Sequence, residues 1–333
     1  MTDDILDIEM SQATKQIIEH SMYIQPDETV LIITDPKKLS VAKNIAIAAN
    51  SAGAETIISI MPLLEAHGNE PPQLIADSMV NADAVITCTT HAISHTNARR
   101  RAAEAGVKLG VMRGVTDEMM IEGAMTVDFK ELKEITDGLV SLLTAADHAR
   151  VTSDNGTDVE LGLVGSESQP VDGLVHEDAE NPVKSGASFP PGEAPILPEE
   201  GTAQGTIVID VSIDNIGKLS EPIRLEFEDG FVTDVSGGDE AAELREIIDS
   251  NDENAGNLAE FAIGTNKKAR LIGNLAEDKK KAGTVHFAIG DNMSLGGTIE
   301  SSIHLDGVIR SPTVYLDGEI IVEDGQILYE KLP

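Results

Sequence analysis

What most constrains the fold is a change of texture near residue 148. Before it, short β-branched runs alternate with helix-patterned stretches. Residues 29–35 (Thr-Val-Leu-Ile-Ile-Thr-Asp) form a nearly continuous apolar run, as a strand buried on both faces requires. Residues 38–50 are Ala-rich and helical in pattern, closed by Ser51-Ala52-Gly53. Runs at 56–61, 83–88 and 107–112 repeat the strand pattern, and 72–80, 97–105 and 129–147 the helical one. This alternation predicts a parallel sheet covered by helices. After it Gly, Pro and Asp become frequent, apolar runs shorten, and Asp-Gly pairs at 229–230, 317–318 and 324–325 mark hairpin turns. The reading is an α/β N-terminal domain with a parallel sheet over 1–147, followed by a β-rich (α+β) metal-binding domain over 148–333.

The composition excludes several classes. No stretch approaches the roughly 18 apolar residues of a membrane span, and Met1-Thr2-Asp3-Asp4 is acidic where a secretory signal is basic. One cysteine, Cys88, excludes an intramolecular disulfide and reads as a buried strand residue. A cytoplasmic location is the expectation. The net charge of −34 repels nucleic acid and anionic membrane, so neither is expected as a partner. It fits a high-salt habitat or a solvated acidic face, and Lys outnumbering Arg weighs against a strongly halophilic one. No G-x-G-x-x-G turn follows the first apolar run, where Asp35-Pro36-Lys37-Lys38 stands instead, so a dinucleotide site is disfavoured.

The chemistry-bearing residues gather in the second half. His304 and Asp306 are two apart, so in a strand both side chains leave the same face and reach one cation without bending the backbone. A surface pair is the bland reading of any such H-x-D. Its surroundings argue otherwise: His286 sits inside an apolar run flanked by Gly283 and Gly290, and Glu260 is embedded between Leu258 and Ile263. Burying such groups is costly unless a cation or hydrogen bonds compensate them. Glu193 lies in Pro190-Pro191-Gly192-Glu193-Ala194-Pro195, expected as a loop stiffened by prolines. Two histidines and three carboxylates form a ligand set for zinc, cobalt, manganese or iron.

These segments resemble, in order, the motifs of the M29 metallo-aminopeptidases of the aminopeptidase T type and their shorter relatives, which include 2,5-dihydroxypyridine dioxygenases. The matching pieces are Gly192-Glu193, the run 258–264, His286-Phe287-Ala288-Ile289-Gly290 and Ser301-Ser302-Ile303-His304-Leu305-Asp306, with Gly156-Thr157-Asp158 resembling the turn that opens the family's second domain. The resemblance implies that Glu193, Glu260, His286, His304 and Asp306 bind two zinc, cobalt or manganese ions. Glu260 would be the bridge, and Glu193 a further ligand or the proton-shuttling catalytic base. It implies an aminopeptidase-type hydrolase acting on short peptides, and a homodimer. The alternative it carries is a ring-cleaving dioxygenase with one ferrous ion held by His286, His304 and Asp306, acting on a small hydroxylated aromatic. Two departures separate this chain from the peptidases. Met293 stands where they have tyrosine seven residues after the first histidine, and Lys279-Lys280-Lys281 where they have an acidic residue shortly before it.

A second cluster, Thr90 to Arg101, follows the third apolar run, the end of a parallel strand where such sheets place ligands. There His95 or Arg99 is a candidate for binding a substrate carboxylate. The competing reading is a helix capped by Thr96 or Ser94 with a solvated arginine run.

Overall fold

In the computed structural model, which describes residues 3–94, 96–176 and 186–333, the apolar runs of the first half become parallel strands. Their order is Glu55–Ile60, Thr29–Thr34, Ala84–Thr89, Lys108–Arg113 and Ala187–Phe189, every neighbouring pair parallel. The intervening helices are Leu39–Ser51, Gln73–Met79 and Asn97–Glu104, preceded by an N-terminal helix Asp3–Lys15. Leu31, Ile33, Val85 and Leu109 from the strands pack with Ile75, Ala98 and Ala102 from the helices into one core. Each fully buried Ile or Leu there contributes about 1.5–3 kcal/mol. The turn after Thr29–Thr34 is closed by a carboxylate, not by glycines: Asp35 accepts from the backbone N–H of Lys37 at 2.9 Å and of Thr90 at 2.6 Å.

The second half forms two antiparallel sheets. One runs Gly217–Lys218, Ser212–Ile213, His304–Ile309, Val285–Gly290, Leu258–Gly264, Glu193–Ile196. The other has eight strands, from Phe231–Ser236 at one edge through Asp158–Gly162 and His148–Thr152 to Gln326–Ile327. Phe261, Phe287 and Leu305 of the first share a core with Val151, Leu161, Ile207 and Leu225 of the second and with Leu139 and Leu143 of the helix Phe129–Ala145. All three expected Asp-Gly turns put both residues at positive φ: Asp229 and Gly230 (48° and 80°), Asp317 and Gly318 (49° and 85°), Asp324 and Gly325 (45° and 72°). That is the backbone a two-residue hairpin needs to match the strand twist.

The chain does not divide at 147/148. One compact unit comprises 1–130 and 171–191, the other 131–170 and 192–333. Two causes are visible. Helix Phe129–Ala145 buries Ile135, Leu139 and Leu143 in the second unit's core, and Ala187–Phe189 returns to extend the first unit's parallel sheet beside Lys108–Arg113.

Candidate metal centre

The candidate ligand residues are sorted by strand alternation. In the ladder Glu260 pairs with Ala288, Ala288 with Asp306, Gly290 with His304, and Gly264 with Glu193. Paired residues share a face and residues two apart share it too, so Glu193, Glu260, His286, His304 and Asp306 all leave one face of the six-stranded sheet. The other face carries Phe261, Ile263, Phe287, Ile289 and Leu305 into the core, where Phe261 and Phe287 stack with ring centroids 5.3 Å apart. Alternation thus delivers five polar groups to one side while hydrophobic burial holds the strands from the other.

Glu193 is not in a loop as expected. It opens the edge strand Glu193–Ile196, pairing with Gly264. Gly192, at φ +124°, turns the chain into that strand against Asn266, whose Cβ would lie 2.4 Å from any Cβ added there. Only glycine combines that φ with so close an approach.

Glu260, His304 and Asp306 each offer a donor atom within 4.8 Å of the others. His304 Nε2 is 3.4 Å from Glu260 Oε2 and 3.6 Å from Asp306 Oδ1. His286 Nε2 is 3.2 Å from Glu260 Oε1 and 3.4 Å from Glu193 Oε2. Glu260, left out of the three-ligand alternative, therefore stands at the middle of the group. His304 Nδ1 lies 2.7 Å from the carbonyl oxygen of Asp291, which fixes the ring and leaves Nε2 to face the carboxylates.

Burial opposes charge on His304, yet Asp306 and Glu260 overcome it and hold its pKa well above the usual value. Burial likewise works against ionised Glu260 and Asp306. For Glu260 the two histidines prevail, and for Asp306 Lys279 and His304 do, so both stay well below the ordinary carboxylate range. The donor set fits a divalent cation on the structure's own terms. Glu193 Oε2 and Asp306 Oδ1 are buried with no hydrogen-bond partner, and buried polar atoms in that state are costly.

Two lysines enter the same group. Lys279 Nζ lies 2.8 Å from Asp306 Oδ2 and 3.6 Å from Glu193 Oε2, and Lys280 Nζ pairs with Glu193 Oε1. Two residues of the lysine run read from sequence as a departure, Lys279 and Lys280, thus lie against the candidate donors. The run's signal was proximity to His286, which alone does not tell a solvated charge run from a buried one.

Arg99 is elsewhere, in the first unit, on helix Asn97–Glu104. Thr96 caps that helix, accepting from the Arg99 N–H at 3.2 Å, as the competing reading expects. Burial lowers the Arg99 pKa. His95 lies outside the described residues. Cys88 is buried in its strand.

Fold and site together fit an enzyme whose donor set suits a divalent cation, with an α/β unit and an antiparallel unit that carries the candidate ligands. The chain belongs to the NicX family, described as 2,5-dihydroxypyridine 5,6-dioxygenase, whose family model matches residues 9–329. The 2,5-dihydroxypyridine 5,6-dioxygenase of Pseudomonas putida KT2440 is 29% identical over 153 residues, which covers 42% of this chain and 44% of that enzyme. The aligned stretch therefore spans less than half the length of that relative. The structure of 2,5-dihydroxypyridine dioxygenase from the same organism superposes with a TM-score of 0.81 at 19% identity, over 97% of both chains. That of AmpT from Thermus thermophilus superposes at 0.67 and 16%, over 96% of this chain and 99% of that one. The neighbours thus include both the dioxygenase and the aminopeptidase T named by the resemblance. The sequence match favours the ring-cleaving alternative over the peptidase expectation, because the likeness to AmpT is one of fold.

Proposed function

We propose that this protein is a metal-dependent dioxygenase that opens a small hydroxylated nitrogen heteroaromatic of the 2,5-dihydroxypyridine kind. The observation that carries the reading is the family match across 9–329, which takes in every residue of the candidate centre. His286, His304, Asp306 and Glu260 would hold the ion, a set of two imidazoles and carboxylates suited to ferrous iron. When bound, ferrous iron would supply the electrons that let dioxygen react with the ring and a Lewis-acidic seat for a ring hydroxyl.

The chain's own residues prepare that site. Asp291 fixes the His304 ring through Nδ1. Ala288, between Glu260 and Asp306 in the ladder, and Gly290, opposite His304, keep the row beneath the ligands short. The buried sheet face limits water. Glu260 and Asp306, as carboxylates, would offset the cation's charge. A cytoplasmic location and a homodimer belong to the same proposal, as does Arg99 as a binder of a substrate carboxylate or phenolate. Replacing Arg99 by Met should then raise KM and leave bound metal unchanged.

The test is oxygen uptake by protein purified without oxygen, loaded with ferrous iron and offered 2,5-dihydroxypyridine. One dioxygen consumed per ring opened, with no added reductant, supports the reading. No uptake with iron bound would sink it. The dinuclear aminopeptidase reading keeps one observation in its favour, the presence of all five donors on one face. Hydrolysis of short peptides with added zinc, cobalt or manganese is its test.

A further inference from the structure

Five donor residues on one sheet face are enough for two metal ions, yet two of the three carboxylates already face ammonium groups. Lys279 Nζ is 2.8 Å from Asp306 Oδ2 and 3.6 Å from Glu193 Oε2, so one charge spans both carboxylates as a bridging cation would. Lys280 Nζ closes on the other oxygen of Glu193. Both side chains are withdrawn from water, at 14% and 6% exposed. We propose that Lys279, supported by Lys280, is a built-in cation that takes the place of a second metal ion and limits the centre to one. This inference rests on the proposed metal site and goes beyond it by assigning the lysines that set its stoichiometry.

Charge makes the limit physical. Three carboxylates against two ammonium groups leave the buried pocket with one net negative charge once both histidines are neutral ligands. One divalent cation brings it to a single positive charge. A second would leave three positive charges out of water, and uncompensated charge there is strongly unfavourable. Without the lysines the same carboxylates would carry three negative charges, which two divalent ions balance to within one.

The backbone that carries the lysines is held in place. They follow the short helix Leu275–Asp278. Asp278 accepts from the Ile272 N–H at 2.7 Å and from the Ser212 hydroxyl at 2.8 Å, and Glu277 pairs with Arg270 at 3.2 Å. The backbone beyond is tied down as well, the Asn266 N–H donating to the Lys280 carbonyl at 2.8 Å. Gly264 allows that approach: a Cβ there would lie 2.2 Å from the Lys281 carbonyl oxygen. Glu193 on this account anchors the lysines and does not act as a proton shuttle.

The experiment is metal counting, independent of turnover. Full-length protein is titrated with cobalt(II) and separately with manganese(II), and bound ions per chain are read by equilibrium dialysis, with the manganese resonance reporting whether ions are coupled. Wild type should saturate at one ion with an uncoupled signal, even in excess metal. Lys279→Met, alone or with Lys280→Met, should take up a second ion, show a coupled signal and bind the first roughly tenfold tighter. Lys279→Arg, which keeps the charge, should stay at one. Two ions in wild type overturn the inference without any variant, and so does a folded double variant that still binds one with unchanged affinity. No ion in wild type removes the metal site itself, and the inference with it.

Discussion

Ala288 stands directly across the antiparallel ladder from Asp306, and its other neighbour in the same row is Glu260. The smallest side chain in the row therefore separates the two carboxylates that the proposed cation would join. Enlarging it should fill that space while leaving the core face of the strand, with Phe287 and Ile289, unchanged. Ala288→Leu should lower affinity for manganese(II) or ferrous iron at least tenfold, read by equilibrium dialysis. The overpacking should cost about 1–3 kcal/mol of stability, read by denaturant titration. Unchanged metal affinity in a folded variant would show that the ion does not sit over this row.

His304 presents Nε2 to Glu260 and Asp306 because its other nitrogen is held by the Asp291 carbonyl. His304→Ala should therefore weaken metal binding by roughly 100-fold or more, beyond the 10–100-fold typical of losing an outer-shell partner. Elemental analysis after dialysis is the direct measurement. Retained metal and retained oxygen uptake together would move the centre elsewhere.

How much of this was legible in the sequence follows from which interactions are local. The β-branched runs of the first half and the Asp-Gly turns of the second encode their own backbone, and they appear where expected. His304 and Asp306 share a face because any strand would make them do so. Glu193 hid because prolines on both sides suggested a loop, whereas its strand exists through pairing with Leu258–Gly264, about seventy residues later. Ala187–Phe189 hid for the same reason, being three residues long and defined by pairing with Lys108–Arg113. The unit boundary was misplaced because helix Phe129–Ala145 follows a parallel-sheet pattern in sequence yet spends its apolar face on the other core. Lys279 and Lys280 were visible only as a departure from a motif. Their burial depends on Gly264 admitting the turn that carries them.

Cys88 gives a prediction about pH. It is 2% exposed, in a strand of the parallel sheet, and burial pushes its thiol pKa from 9.0 up to about 12. The native thiol should resist iodoacetamide at pH 8–9 and react fully once the protein is unfolded, because only the thiolate attacks. The sign for stability follows from linkage. The folded state keeps the proton that the unfolded chain gives up above about pH 9. The thiol's contribution is therefore complete below pH 9 and is lost as pH rises through about 12. Cys88→Ala should remove that part of the alkaline loss. Rapid native alkylation at pH 8 would contradict the buried placement.

The opposite face of the six-stranded sheet can be tested separately from the proposed site. Phe287 lies between His286 and Ala288 in sequence but points the other way, stacking on Phe261 at 5.3 Å with an interplanar angle of 22°. Phe287→Ala removes that contact and opens a cavity in the shared core, a change that costs about 3–5 kcal/mol. The cost should appear as a lower denaturant midpoint with little change in slope, because the fold is retained. Since no ligand is touched, the variant should still bind metal under native conditions, with affinity within severalfold of wild type. The paired result, a large stability loss with a preserved site, is the expected signature of strand alternation separating core from chemistry. A Phe287→Ala protein that folds and yet loses its metal would mean that the two faces are coupled through the strand, and that the ligands owe their positions to this aromatic pair.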